Sequence, residues 1–174
     1  TEGRAFLGDM KQAESANLLS AFAGGVVFNL ANILLVAAIG IAGMSVAFPV
    51  GIGIALVLGV VVNYISTPQG NPLLIFVGVA LITLAIILNA RAYQKLQTNA
   101  EGGVSKKGLI LSVVSGCLMG LFYKYVAGSM VTNFNVPDAG KLTPYTALVL
   151  FAIGIVISSF VFNTFQMKRP FAGA

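Results

Sequence analysis

The feature that most constrains this chain is an absence of charge. Between Glu14 and Arg91, residues 15–90 hold no Asp, Glu, Lys, Arg or His. A soluble domain carries about 25% charged residues, because its surface has to be solvated. This chain has 9%, against 57% hydrophobic. The hydrocarbon core of a bilayer is about 30 Å thick and takes about 20 apolar residues per crossing helix. The uncharged stretch therefore has room for three crossings joined by tight turns. Such a composition excludes a cytosolic globular enzyme, a disordered chain and a disulfide-stapled secreted domain. It predicts an all-α, polytopic transmembrane helix bundle with about five crossings, and hence a multi-pass integral protein of the cell (inner) membrane.

Turn chemistry divides the chain. Residues 1–16 read as a polar loop or interfacial segment. Three transmembrane helices occupy 17–96. The first covers about Leu18–Ile41 and ends at the glycines Gly40 and Gly43. The second covers about Ser45–Ile65, with Pro49 in its early turns, where missing N–H groups cost little. The third has Asn71 as cap and Pro72 at its first position, and reaches about Tyr93. A polar linker at 97–107 precedes two further transmembrane helices within 108–167. These cover about Lys107–Val131 and, with Thr143 as cap before Pro144, Pro144–Gln166. Residues 168–174 read as a loop. The chain starts at Thr1, without a signal-peptide pattern, and stops in that loop. We read it as the middle of a longer membrane protein, whose missing helices are partners of these five.

Five crossings sort the loops onto two faces. One face collects Arg4, Lys11 and Lys141. The other collects Arg91, Lys95, Lys106, Lys107, Lys168 and Arg169. The positive-inside tendency puts the second face, with the 97–107 linker, in the cytoplasm. Basic residues at helix ends suit lipid headgroups, and with no basic stripe on a solvated face a nucleic-acid partner is not expected.

Covalent chemistry has little to work with. Histidine is absent, so imidazole bases, imidazole metal ligands and a Ser-His-Asp triad are excluded. Cys117 has no partner cysteine, and the five carboxylates (Glu2, Asp9, Glu14, Glu101, Asp138) lie outside the apolar runs. No Gly-Lys-Ser/Thr loop for phosphate is present. We expect no enzyme activity, no metal and no cofactor.

The polar and small residues inside the helices carry what functional signal there is. In lipid, helices associate through close backbone approach and hydrogen bonds. Gly51, Ala55, Gly59 and Asn63 recur every four residues in the second helix, and Ser112, Gly116 and Gly120 in the fourth. These are packing ridges, and ridges can also let helices slide. Asn29 and Asn32 share one face near mid-membrane. They either make an interhelical hydrogen bond or offer amide donors and acceptors to an uncharged ligand. Pro49 and Gly51 would shape the wall of such a cavity. Asn63 and Asn89 sit near helix ends and read as interfacial. Lys124, between Tyr123 and Tyr125, either snorkels to headgroups or serves as a cavity lysine that binds substrate or exchanges a proton.

The run GGVVFNLANILLVAAIGIAGMSVAFPVGIGIALVLGVVVNYI, residues 24–65, resembles the ureide-permease and glucose/ribose-porter branch of the drug/metabolite transporter superfamily. Gly24-Gly25 followed by Asn32, then Gly43-Met44-Ser45-Val46-Ala47, Asn63-Tyr64 and Lys141-Leu142-Thr143-Pro144-Tyr145 carry the resemblance, which covers most of residues 15–170. It implies ten helices in two inverted five-helix repeats, with these five as the third to seventh and the 97–107 linker as the seam. It also implies proton-coupled or facilitated movement of a small polar metabolite such as a sugar, ureide or nucleobase. The expectation is a secondary transporter fragment with an inward-facing polar cavity on its first, second and fourth helices, lined by Asn29, Asn32, Pro49, Gly51 and Lys124. The alternative is a non-transporting membrane scaffold or assembly subunit.

Overall fold

The computed structural model describes residues 4–68, 70–97, 105–133 and 137–169. Glu2, Glu101, most of the 97–107 linker and the final residues of the C-terminal loop lie outside them. The described chain is an all-α bundle: α1 (Phe6–Gln12), α2 (Ser15–Ala42), α3 (Met44–Ser66), α4 (Pro72–Gln97), α5 (Lys106–Ser129) and α6 (Pro144–Lys168). The last five are each long and apolar enough to cross a membrane. Among the described residues there is no strand, only an isolated bridge between Met130 and Leu142.

Local chemistry sets the helix ends. α2 stops at Gly43, whose φ of +82° is open to glycine and strained for other residues. Gly40, read above as part of that ending, lies inside the helix. α4 starts at Pro72, and the Asn71 side chain accepts the Leu73 N–H at 3.0 Å, as the cap reading requires. α6 starts at Pro144, but the Thr143 side chain makes no cap bond to that helix. Its hydroxyl turns instead to α1.

α2 is the central rod. It packs along α5 on one side and α6 on another, α3 packs along α5, and α4 rests on α3. Residues Ala31, Leu34, Leu35, Ala37 and Ala38 of α2 are buried, whereas none of α4 over 72–92 is. Backbone proximity makes this arrangement possible. A Cβ added to Gly25 would strike the Phe151 carbonyl, and one on Gly154 the Phe22 carbonyl, so α2 and α6 cross at glycine on glycine. Phe28, Phe122 and Phe151 meet where α2, α5 and α6 converge, with ring centroids 4.9–5.9 Å apart. The two small-residue ridges face each other across α3 and α5.

The N-terminal segment with α1 is tied to the loop before α6. The Arg4 guanidinium donates to the carbonyls of Pro137 (2.8 Å) and Asp138 (3.2 Å). Gln12 donates to the Lys141 carbonyl at 2.9 Å and accepts the Gly140 N–H at 2.8 Å. The loop so held continues to Leu142, which is wholly buried and exchanges backbone hydrogen bonds with Ser129 and Val131 at the end of α5. The N-terminal segment, the α5–α6 loop and the end of α5 thus form one polar clamp on one face of the bundle.

Candidate functional site

The α3–α5 seam is tight at one end and open at the other. On Gly116 a Cβ would lie 2.5 Å from the Gly51 carbonyl oxygen, which no real contact permits. One turn further, a Cβ on Gly120 would lie 3.1 Å from the Ala55 carbonyl. One on Gly59 would lie 3.7 Å from the Gly120 carbonyl, ordinary contact. From Ala55 and Gly120 onward the two helices flank a cleft of about 790 Å³. Its walls are Ala55, Leu56, Gly59, Val60, Asn63 and Tyr64 of α3 with Thr67 just after it, Met119, Gly120, Phe122, Tyr123 and Ala127 of α5 with Met130, Val131 and Thr132 just after it, and Ile75 of α4.

The depth of the cleft follows from helix geometry. Its innermost α3 residue, Ala55, is the twelfth of 23 in that helix. The mouth is at Thr67 and Thr132. At 1.5 Å per residue the cleft extends about 18 Å along α3, a little over half the thickness of the apolar core, about 30 Å. It opens on the face that bears the α1 clamp.

The structure separates the sequence-predicted site residues. The Asn29 amide donates to the Ser158 hydroxyl on α6 at 2.8 Å. The Asn32 amide donates back to the Phe28 carbonyl of its own helix, also at 2.8 Å. Of the two readings of the pair, the interhelical bond describes the geometry of Asn29. Gly51 packs against Leu35 and the Ser112 carbonyl, and Pro49 sits in the second turn of α3. Lys124 is exposed between exposed Tyr123 and Tyr125, five residues from the end of α5. None of these five residues lines the cleft. The cleft lies on α3, α4 and α5; the expectation was a cavity on the first, second and fourth crossing helices, which are α2, α3 and α5.

The residues that do line it are ones that position in the chain concealed. Asn63, read as interfacial, extends the Gly51–Ala55–Gly59 ridge by one more turn, and the ridge leads into the cleft. The four-residue spacing was the available signal. Tyr64, Thr67, Tyr123 and Thr132 complete the polar lining. A second groove of about 370 Å³, lined by Val50, Gly53, Ile54, Ile86 and their neighbours, runs between α3 and α4 and is apolar.

The strongest electrostatic feature lies in the clamp. Asp9 is completely buried. One carboxylate oxygen accepts the Thr143 N–H and hydroxyl, both at 2.8 Å, and the other accepts the Gln12 amide at 3.1 Å. Arg4 stands 3.6 Å away. Burial pushes the carboxyl up, but the hydrogen bonds from the Thr143 backbone, the Thr146 and Thr143 hydroxyls and Gln12 outweigh it. Asp9 is held below the ordinary aspartate range. Among the described residues, no three side chains of the metal-ligating types converge. Compared with protein-family models, curated proteins and solved structures, the chain matches none.

Proposed function

We propose that this chain is part of a secondary transporter that moves a small uncharged polar metabolite by facilitated passage. The alternating-access picture needs a bundle closed at one end and open to about mid-membrane at the other. The observation that carries the reading is the α3–α5 seam. It is sealed where Gly116 meets Gly51, and from Ala55, the middle of α3, onward it is flanked by a cleft that runs to the end of the helix. Glycines let the two backbones approach closely, with Ile54 and Leu58 of α3 seated against Gly116 and Gly120 of α5. Among the described residues no carboxylate lines the cleft, and Asp9 belongs to the clamp, so the proposed passage is not proton-coupled. By the charge distribution, the face with Arg4, Lys11 and Lys141 is extracytoplasmic, and the cleft opens outward.

The test is uptake by the full-length protein reconstituted in vesicles, with labelled D-glucose, uracil and allantoin offered in turn. Saturable uptake of at least one is expected. Absence of uptake for all three, with the protein verified as folded, would overturn the reading. A non-transporting scaffold is the second reading. It is favoured by the Asn29–Ser158 bond and by Ser115, whose hydroxyl donates to the Ala31 carbonyl at 2.6 Å, since both tie helix to helix. A scaffold would show no flux, and access to its cleft would not change with any solute.

A further inference from the structure

We infer that the groove between α3 and α4 seats one acyl chain of an anionic phospholipid, with Arg91 holding the phosphate at its mouth. Two antiparallel helix faces make the groove. Val50, Ile54 and Leu58 recur every four residues on α3, and Thr83 and Ile87 do so on α4. The Thr83 hydroxyl donates to the Val79 carbonyl of its own helix at 2.7 Å, so the walls ask nothing of an occupant but apolar surface. Val50 is the seventh of 23 residues in α3 and Leu58 the fifteenth. At 1.5 Å per residue the groove is about 12 Å long. One leaflet contributes about 15 Å of the hydrocarbon core. The groove therefore runs from near the start of α3 to about the middle of the bilayer, within one leaflet. Its 370 Å³ spread over that length gives a mean cross-section of about 30 Å². A helix about 10 Å across needs about 80 Å², so the space has the width of a chain.

The charge at the mouth states which lipid. Arg91 follows Ile87 at the same four-residue spacing, and Lys95 follows Arg91, so the row that lines the groove turns basic where it leaves it. Both residues are exposed. Helix register sets their level. A Cβ on Gly53 would touch Ile86, and nine residues from that contact lie Met44 in α3 and Lys95 in α4. Arg91 and Lys95 thus stand level with the first turns of α3, the positive end of its dipole. α5 starts at the same end, where Gly108 packs on Ala42, and its first residues are the exposed Lys106 and Lys107. The described carboxylates, Asp9, Glu14 and Asp138, all lie at the opposite end with the clamp. Glu101, in the linker outside the described residues, is the one acidic residue that the sequence puts at the basic end. Apolar contact alone selects no lipid, because a chain that leaves the bilayer for the groove exchanges one hydrocarbon surface for another. The groove fixes where the chain lies, and the basic end selects a headgroup without a cation of its own. Arg91 is suited to the phosphate, since a guanidinium engages two of its oxygens at once. Such a site serves a transporter and a scaffold alike.

The experiment uses the full-length protein in phosphatidylcholine vesicles that contain a phosphatidylglycerol with a diazirine on one acyl chain. After photolysis the cross-linked segments are identified by mass spectrometry. Label is expected on residues 50–58 of α3 and 83–90 of α4. Unlabelled phosphatidylglycerol should compete it away, and phosphatidylethanolamine should compete less well. Arg91→Gln should weaken labelling there about fivefold, the worth of one basic residue at headgroup level. Arg91→Lys should keep most of it, and Lys11→Gln, on the opposite face, should leave it unchanged. Ala90→Phe fills the groove with the charges intact and is the independent arm should Arg91→Gln fail to fold. It too should reduce the label. Label absent from both segments, as when a further helix or a second copy covers the groove, would overturn the inference. So would equal competition by the two lipids, an equal loss in Lys11→Gln, or labelling unchanged in both Arg91→Gln and Ala90→Phe.

Discussion

The carboxylate of Asp9 and the residue that opens α6, Thr143, are joined by two hydrogen bonds of 2.8 Å across 134 residues of sequence. Asp9 therefore does for α6 what Thr143's own side chain does not. It places negative charge at the positive end of the helix dipole and fixes where α6 leaves the loop. Through Leu142 the same clamp reaches Val131 and Ser129, and Val131 lines the mouth of the cleft. One buried carboxylate on a seven-residue helix thus positions part of the cleft rim.

Replacement of Asp9 by Ala should destabilise the protein by about 1–3 kcal/mol, because it leaves the half-buried Thr143 N–H without its charged partner. Thermal unfolding in detergent measures this. The pH dependence has a defined sign. The folded carboxyl titrates below its ordinary value, so its contribution is fully present above the unfolded value of about 3.9. It is lost as pH falls through the lower folded value. Wild type should lose stability between pH 5 and pH 3 more steeply than Asp9→Asn. Parallel curves would show that the buried charge is not what the clamp depends on.

The α2–α6 crossing makes a second prediction. Gly25→Ala and Gly154→Ala each place a methyl group onto a facing backbone carbonyl. They should cost about 1–3 kcal/mol by overpacking. Gly40→Ala meets nothing within 4 Å and lies in regular helix. It should be neutral or stabilise by up to about 1 kcal/mol. Melting temperatures of the three variants, measured in one detergent, check both signs together.

The Asn29–Ser158 bond is a weaker tie than its depth suggests. In Asn29→Leu the Ser158 hydroxyl still donates to the Ile155 carbonyl at 3.1 Å, so no buried polar atom is stranded. Interhelical hydrogen bonds in membranes contribute about 0.6 kcal/mol on average. The variant should therefore melt within about 1 kcal/mol of wild type, less than the loss in Asp9→Ala. A loss above about 2 kcal/mol would mean that Asn29 organises more of the α2–α6 interface than this one contact.

What the sequence disclosed and what it concealed divide along chain distance. Helix ends are local matters. Asn71 before Pro72, Pro144 and the φ-permissive Gly43 lie within a few residues of the features they determine. The Gly51–Ala55–Gly59 and Ser112–Gly116–Gly120 ridges could be read from their four-residue spacing, but not that they face each other. A ridge of small residues carries no mark of its partner. Asn63 was hidden for the same reason. Near a helix end an amide looks interfacial, and only the parting of α3 and α5 turns it toward a cleft. Asp9 lay beyond reach altogether, because its burial is created by Thr143 and Gln12 together, one of them at the other end of the chain.

The last prediction concerns which way the cleft opens. Thr132 is at its mouth and Ser105 precedes the first turn of α5 at the opposite end of that helix. The excess of basic residues on the Ser105 face places that face in the cytoplasm by the positive-inside tendency. In a background with Cys117 and any other cysteine of the full-length protein replaced by Ala, a single reporter can be installed at either position. With a membrane-impermeant maleimide on intact cells, Thr132→Cys should label directly and Ser105→Cys only after permeabilisation. Ala127→Cys, on the cleft wall midway between Tyr123 and Met130, should label from the same side as Thr132→Cys and more slowly, since the reagent has to enter the cleft. Labelling of Ser105→Cys but not Thr132→Cys on intact cells would invert the orientation. Labelling of Thr132→Cys without any labelling of Ala127→Cys would show that the space between α3 and α5 is filled in the assembled protein.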